Sequence, residues 1–283
     1  MKNYISLMKL RVVELLLVTT VPALFLASNG VPDLSVTFWS LLGGTLAAGG
    51  ANAFNMVIEA KSDLLMKRTA KRPIATGEIS RRSGLIFATA ISLLSLVMFY
   101  LFTTKLAALL TFLAIAFYVF GYTIALKKHT SQNIVWGGIA GCMPVLIGQA
   151  AVSNSLTLTS WLFFFLIFFW TPPHFWALAV RYREDYAAAG IPMLPVVAPI
   201  KNVITQMWFH SLAMVVFSIL VIWSAELPIW LAGVTLILIA GWKMQLIKLT
   251  RQPTEVNAGK LFQASIVFLS IYSFLLVIGV LLK

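Results

Sequence analysis

Asn55, Glu59 and Asp63 stand four residues apart, and the segment after them carries Lys67, Arg68, Lys71 and Arg72. A helix turns by roughly 100° per residue, so this spacing puts all three on one face. An amide oxygen and two carboxylates in a row are hard oxygen donors of the kind that hold Mg²⁺ through a substrate's phosphates. The neighbouring cations can neutralise phosphate oxygens. Asn55, Glu59 and Asp63 are therefore expected to form a catalytic, metal-binding ledge, with Asn52 at the start of the same segment.

Two further segments carry polar chemistry. The first runs from Thr171 to Pro195 and includes His174, Arg181, Arg183, Glu184, Asp185 and Tyr186. Gly190, Pro192 and Pro195 prevent a regular helix from continuing, so the chain beyond Asp185 must turn and can fold back over its neighbours. The two acidic ledges are then expected to face each other across a central cavity. The alternative is that Glu184 and Asp185 pair only with Arg181 and Arg183. The second segment carries Lys127, Lys128, His129 and Asn133 but no carboxylate, which suits contact with an anion or simply a topology signal.

The elements that position these groups follow from composition. In 283 residues, 60% are apolar and 11% charged, and the mean hydropathy is +0.93, as in a chain built for lipid rather than water. Apolar runs at 12–27, 37–58, 84–102, 106–126, 134–152, 161–180, 204–225, 228–246 and 261–282 each approach the roughly 20 residues a spanning helix needs. An all-α bundle of nine transmembrane helices in a single domain over 1–283 is expected.

The net charge of +12 raises the question of nucleic acid, which the placement of the cations answers. Every Lys and Arg except Lys105 and Lys283 falls in the N-terminal or alternate connecting segments, as the positive-inside rule requires. Binding of nucleic acid is excluded on that ground. The N-terminus is expected inside and the C-terminus outside, most simply in a bacterial inner membrane. The basic start and first apolar run also admit a signal-peptide reading, but the first basic cluster lies on the same side as the later ones. Cys142 is the only cysteine and is expected to pack in the core. The alternative of another class is a transporter or a non-catalytic oxidase-assembly protein; the carboxylates gather at one face rather than at mid-membrane, which argues against a transporter.

Several blocks carry a family resemblance. The spacing Asn55, Glu59, Asp63 resembles the first acidic motif of the intramembrane prenyltransferase superfamily. Its continuation through Met66, Arg68, Thr69, Arg72, Pro73 and Gly77 is similar to the haem branch, the protohaem IX farnesyltransferases. So are Asn133, Gly137, Gly138, Gly141 and Pro144, and the run Pro173, His174, Phe175, Ala177, Leu178, Ala179 with Asp185, Tyr186, Ala189, Gly190, Ile191, Pro192, Met193, Leu194 and Pro195. A relative that prenylates a quinone precursor would share the first motif but not this last run.

The resemblance implies that farnesyl diphosphate and haem B are joined, with water, to give haem O for a terminal oxidase or a downstream haem A synthase. It implies Mg²⁺ as cofactor, held by Asn55, Glu59, Asp63 and Asp185, with Glu184 beside them. Substrate contacts would come from Asn52, Lys67, Arg68, Lys71, Arg72, Lys127, Lys128, Asn133, His174, Arg181 and Tyr186, His174 being the first choice to ligate haem iron. Glu59 stands where many family members have Asp. Arg181 stands four before Asp185, so the paired aspartates that would hold a second metal ion are absent.

Overall fold

The computed structural model describes residues 2–283 and is helical throughout. A short α1 (Lys2–Leu7) leads through Lys9, in a left-handed conformation, to α2 (Leu10–Ser28). Then come α3 (Leu34–Asp63), α4 (Arg81–Phe102), α5 (Lys105–Ala116) with a π-helical continuation (Phe117–Leu126), α6 (Asn133–Ser153) and α7 (Leu158–Arg181). After two short helices, α8 (Arg183–Ala188) and α9 (Leu194–Val197), the chain finishes with α10 (Ile200–Ser224), α11 (Trp230–Arg251) and α12 (Glu255–Leu281). Among the described residues nine helices are long and apolar enough to cross a membrane. The protein is an integral, multi-pass membrane protein.

The helices run longer than the apolar stretches alone suggest, and polar N-caps secure five of their starts. Asp33, Ser80, Thr104, Thr157 and Thr254 each accept a hydrogen bond from a backbone N–H in the first turn that follows, satisfying a donor with no helical partner. The extension matters most in α3, which continues to Asp63 and so keeps Asn55, Glu59 and Asp63 on one unbroken helix.

Neighbouring spans pack in sequence order from α3 to α12, and α2 closes the ring against both α12 and α3. Across the ring α2 also meets α6, and α7 meets α12. Small residues allow close approach between α3 and α4. A Cβ on Gly50 would sit 2.1 Å from the Ser92 hydroxyl, and Ser95 donates to the Gly43 carbonyl at 2.7 Å. The main core spreads over α2, α6, α7, α10, α11 and α12. Large apolar side chains such as Leu93, Phe112, Phe120, Ile237 and Phe274 point outward and suit lipid.

Two smaller clusters fasten the basic end. Leu7, Ala53, Met56, Ile74, Ile79 and Ala88 pin α1 and the 64–80 connection to α3 and α4. Met66, Ile134, Ala179, Tyr186, Ile191 and Met193 join that connection to α6, α7 and the 182–193 segment. The latter segment does fold back, turning at Gly190 (φ +64°), with the Ile191 N–H donating to the Tyr186 carbonyl at 3.0 Å.

Candidate active site

The oxygen ledge occupies the last turns of α3 and is buried, with Asn55, Glu59 and Asp63 between 2% and 5% exposed. Uncompensated carboxylates would be costly there, and each ledge residue is met by a cation. Lys9 Nζ donates to Asn55 Oδ1 at 2.8 Å. Lys127 forms an ion pair with Glu59. Arg72 Nη1 contacts both Asp63 oxygens, at 2.7 and 2.8 Å, and the Thr69 hydroxyl donates to the Asp63 carbonyl. The Lys9 ammonium is driven well below the usual lysine range by burial, with Arg72 and Lys127 adding repulsion and Glu59 and Asp63 opposing it.

The π-helical segment supplies the wall facing this ledge. Its wider winding lets Thr123 donate to the Tyr118 carbonyl five residues back, while Asn55 Nδ2 donates to Thr123 Oγ1 at 3.3 Å. Asn52 donates to the Met8 carbonyl at 3.0 Å and accepts from the Tyr118 hydroxyl at 3.4 Å. A regular α-helix was the expectation here, and the spacing of apolar residues does not distinguish the two.

Asn133 is fully buried and donates through Nδ2 to the Lys127 carbonyl at 3.0 Å, which ties the lysine's backbone to the start of α6. Gly137 is required by close approach: a Cβ there would lie 2.2 Å from Tyr122, whose ring the Lys127 ammonium overhangs at 5.9 Å. Lys71 and Lys128 are exposed.

The second acidic segment adjoins the first motif through its cations. Lys67 and Arg68 line a cleft of about 420 Å³ together with Arg181, Tyr182, Arg183, Glu184, Asp185 and Glu255. Among the described residues the ion pairs are Asp63–Arg72, Glu59–Lys127 and Glu226–Lys283, so Glu184 and Asp185 are not consumed by Arg181 and Arg183. Tyr186 is buried in the cluster with Met66, Ile134 and Met193; burial pushes its phenol up, against the pull of the Arg68 charge. Arg181 lies along α12, where a Cβ on Gly259 would come within 3.3 Å of its Nη1. Among the described residues no three acidic, histidine or cysteine side chains converge on a metal-sized site, so Asp185 does not join Glu59 and Asp63. Two carboxylates and an amide still fit Mg²⁺, which is commonly bound by one or two carboxylates plus substrate phosphates and water.

His174 lies inside α7, which runs through Pro172 and Pro173 unbroken. Its ring stacks between Trp170 and Phe262, with centroids 4.3 and 4.5 Å away, and its Nδ1 is 2.6 Å from the Ser265 hydroxyl of α12.

Residues 16–274 match the model of the UbiA prenyltransferase family. The chain belongs to that family. A Saccharopolyspora erythraea relative, Protoheme IX farnesyltransferase 1, is 46% identical over 272 residues, covering 95% of this chain and 86% of its own. Protoheme IX farnesyltransferase of Streptomyces avermitilis is 44% identical over 281 residues, covering 95% and 90%. A UbiA homolog from Archaeoglobus fulgidus bound to DMAPP and Mg²⁺ has the same fold, with a TM-score of 0.72 at 18% identity over 97% of this chain and 99% of that one. The apo UbiA homolog from Aeropyrum pernix K1 gives 0.73 at 19% identity over 96% and 97%.

In this UbiA prenyltransferase the sequence pattern misses Lys9, Tyr118, Thr123 and Ser265. Lys9 was legible only as one cation among many on its side, and nothing local marks a π-helix or the partner of a buried serine. A small polar residue inside an apolar span was the one available signal for Ser265.

Proposed function

We propose that this prenyltransferase joins the farnesyl group of farnesyl diphosphate to a vinyl group of haem B, with addition of water, giving haem O and diphosphate. The observation that carries the reading is the buried array in which Asn55, Glu59 and Asp63 face Lys9, Lys127 and Arg72 at the basic end of the bundle. Membership of the family supports reading that array as a diphosphate site, and the names of the relatives support farnesyl as donor and protohaem as acceptor.

Asn55, Glu59 and Asp63 would hold Mg²⁺. When bound, the ion supplies charge neutralisation to the diphosphate oxygens as the allylic C–O bond breaks. The chain's own cations do the remaining electrostatic work. In the resting protein Lys9, Lys127 and Arg72 are engaged by the ledge oxygens; as a metal diphosphate arrives they turn to phosphate oxygens without leaving any carboxylate unpaired. Lys67, Arg68 and Arg181 at the adjoining cleft, with the exposed Lys71 and Lys128, draw the anion in, and Glu184 and Asp185 face it from the far wall.

The developing prenyl cation attacks the vinyl terminus, and water captures the resulting carbocation beside the ring, losing a proton. An apolar, aromatic-rich surround would delay water until the C–C bond has formed. The same reading orients the basic end, with the N-terminus, toward the cytoplasm of a bacterial inner membrane, where a haem A synthase or an oxidase would take the product.

The test is incubation of the full chain in membrane-like detergent with haem B, farnesyl diphosphate and Mg²⁺, with haem O read by mass. Asp63→Ala should lower kcat/KM by about 100-fold or more, as loss of a charge-stabilising group does. Undiminished turnover in that variant would remove the ledge from the mechanism; absence of haem O from the unaltered chain would remove the acceptor.

A further inference from the structure

The Ser265 hydroxyl has one proton, and it is donated to the Phe262 carbonyl at 2.6 Å. Ser265 Oγ can therefore only accept from His174, across 2.6 Å, which makes Nδ1 the donor. In the neutral ring the lone pair is then on Nε2, and Nε2 makes no hydrogen bond among the described residues although His174 is 3% exposed. Among the described residues no carboxylate pairs with the ring, so a charged imidazolium would stand uncompensated. The Ser265 carbonyl also accepts from Trp170 Nε1 at 3.0 Å, which ties both stacked rings of α7 to a single turn of α12.

The other two histidines lack this combination. His129 is exposed, with Nδ1 on the Ala125 carbonyl at 2.9 Å. His210 is buried among Phe169, Trp176 and Phe209, but its Nδ1 has no partner to fix a tautomer.

We infer that Ser265 is a positioning residue that locks His174 as the Nδ1–H tautomer, so that Nε2 is presented as an axial ligand to the iron of the haem acceptor. The inference rests on the proposed acceptor. Metal-ligating histidines commonly donate their other ring N–H to an oxygen, which fixes orientation and raises ligand basicity. The surrounding seam suits the same ligand. His174 and Arg181 are two turns apart on α7, about 10 Å along its axis. Near Arg181 a cleft of about 270 Å³ is lined by Glu255, Gly259, Lys260 and Gln263 of α12. Lys260 in this cleft is a cation for the carboxylates on one edge of the macrocycle.

The experiment titrates the detergent-solubilised full chain with ferric haem B and records the absorption and electron paramagnetic resonance spectra. Haem O formation is measured in parallel. The unaltered chain should show an imidazole-ligated iron, and His174→Ala should lose that signature. Ser265→Ala should weaken haem binding and raise the KM for haem by about 10- to 100-fold, leaving the KM for farnesyl diphosphate unchanged.

An unchanged spectrum and haem affinity in Ser265→Ala, or an imidazole signature that survives in His174→Ala, would overturn the inference. Should either occur while the unaltered chain still makes haem O, the farnesyl transfer reading stands and only the iron contact falls. If the unaltered chain neither binds haem B nor makes haem O, both fall.

Discussion

Lys127→Met tests whether the ledge is electrostatically balanced as it stands. The Glu59 side chain is 5% exposed and that of Lys127 15% exposed, so the substitution leaves a buried carboxylate without its nearest cation. Removing one partner of a buried pair costs about 3–5 kcal/mol. Lys9 and Arg72, held on the flanking ledge residues, soften the loss, and the lower figure of about 3 kcal/mol applies. At about 2–4 °C per kcal/mol for a chain of this order of size, Tm should fall by roughly 6–12 °C. Cys142 is the only cysteine and is fully buried, so a thiol-reactive fluorophore reads unfolding directly. Glu59→Gln combined with Lys127→Met removes both charges and should regain most of the loss. A single variant that melts with the unaltered chain, or a double variant no better than the single, would refute the pairing.

Arg181→Ala should raise the KM for farnesyl diphosphate with little change in kcat, because Arg181 lines the cleft but is not on the ledge; a steady-state series in detergent decides it. Gly137→Ala should cost about 1–3 kcal/mol, since its Cβ meets the ring of Tyr122 at 2.2 Å, and should impair turnover through the displaced Lys127, read by melting and by product mass. Tyr186 gives an alkaline signature. Its phenol is raised in the folded chain, so above about pH 10 the unfolded chain has released a proton that the folded chain keeps, and stability falls as pH rises. Tyr186→Phe should flatten that limb in melting curves taken from about pH 9 to 11.

Much of the site was legible because its signals are local. Asn55, Glu59 and Asp63 share a face by helical spacing alone, and Gly190 with its flanking prolines announces a turn. Their relationships were not legible. The pattern could not say whether Glu184 and Asp185 were spent on Arg181 and Arg183, and the structure leaves them facing a cleft instead. It could not show that Lys127, one of many cations on its side, pairs with Glu59 from a separate segment. It could not show that Asn133 donates to the Lys127 carbonyl.

The sequence by itself determined the solvent, the span count and which polar residues share the face of α3, because hydropathy, charge placement and helical spacing act over one or two turns. Tertiary structure decided which cation meets which oxygen, that Asp185 lies away from Glu59 and Asp63, and that Ser265 meets His174 from 91 residues away. Those facts depend on how α3, the π-helical segment, α7 and α12 are packed. Contacts between side chains on different helices are set by close approach at positions such as Gly137 and Gly259, and no local pattern encodes them.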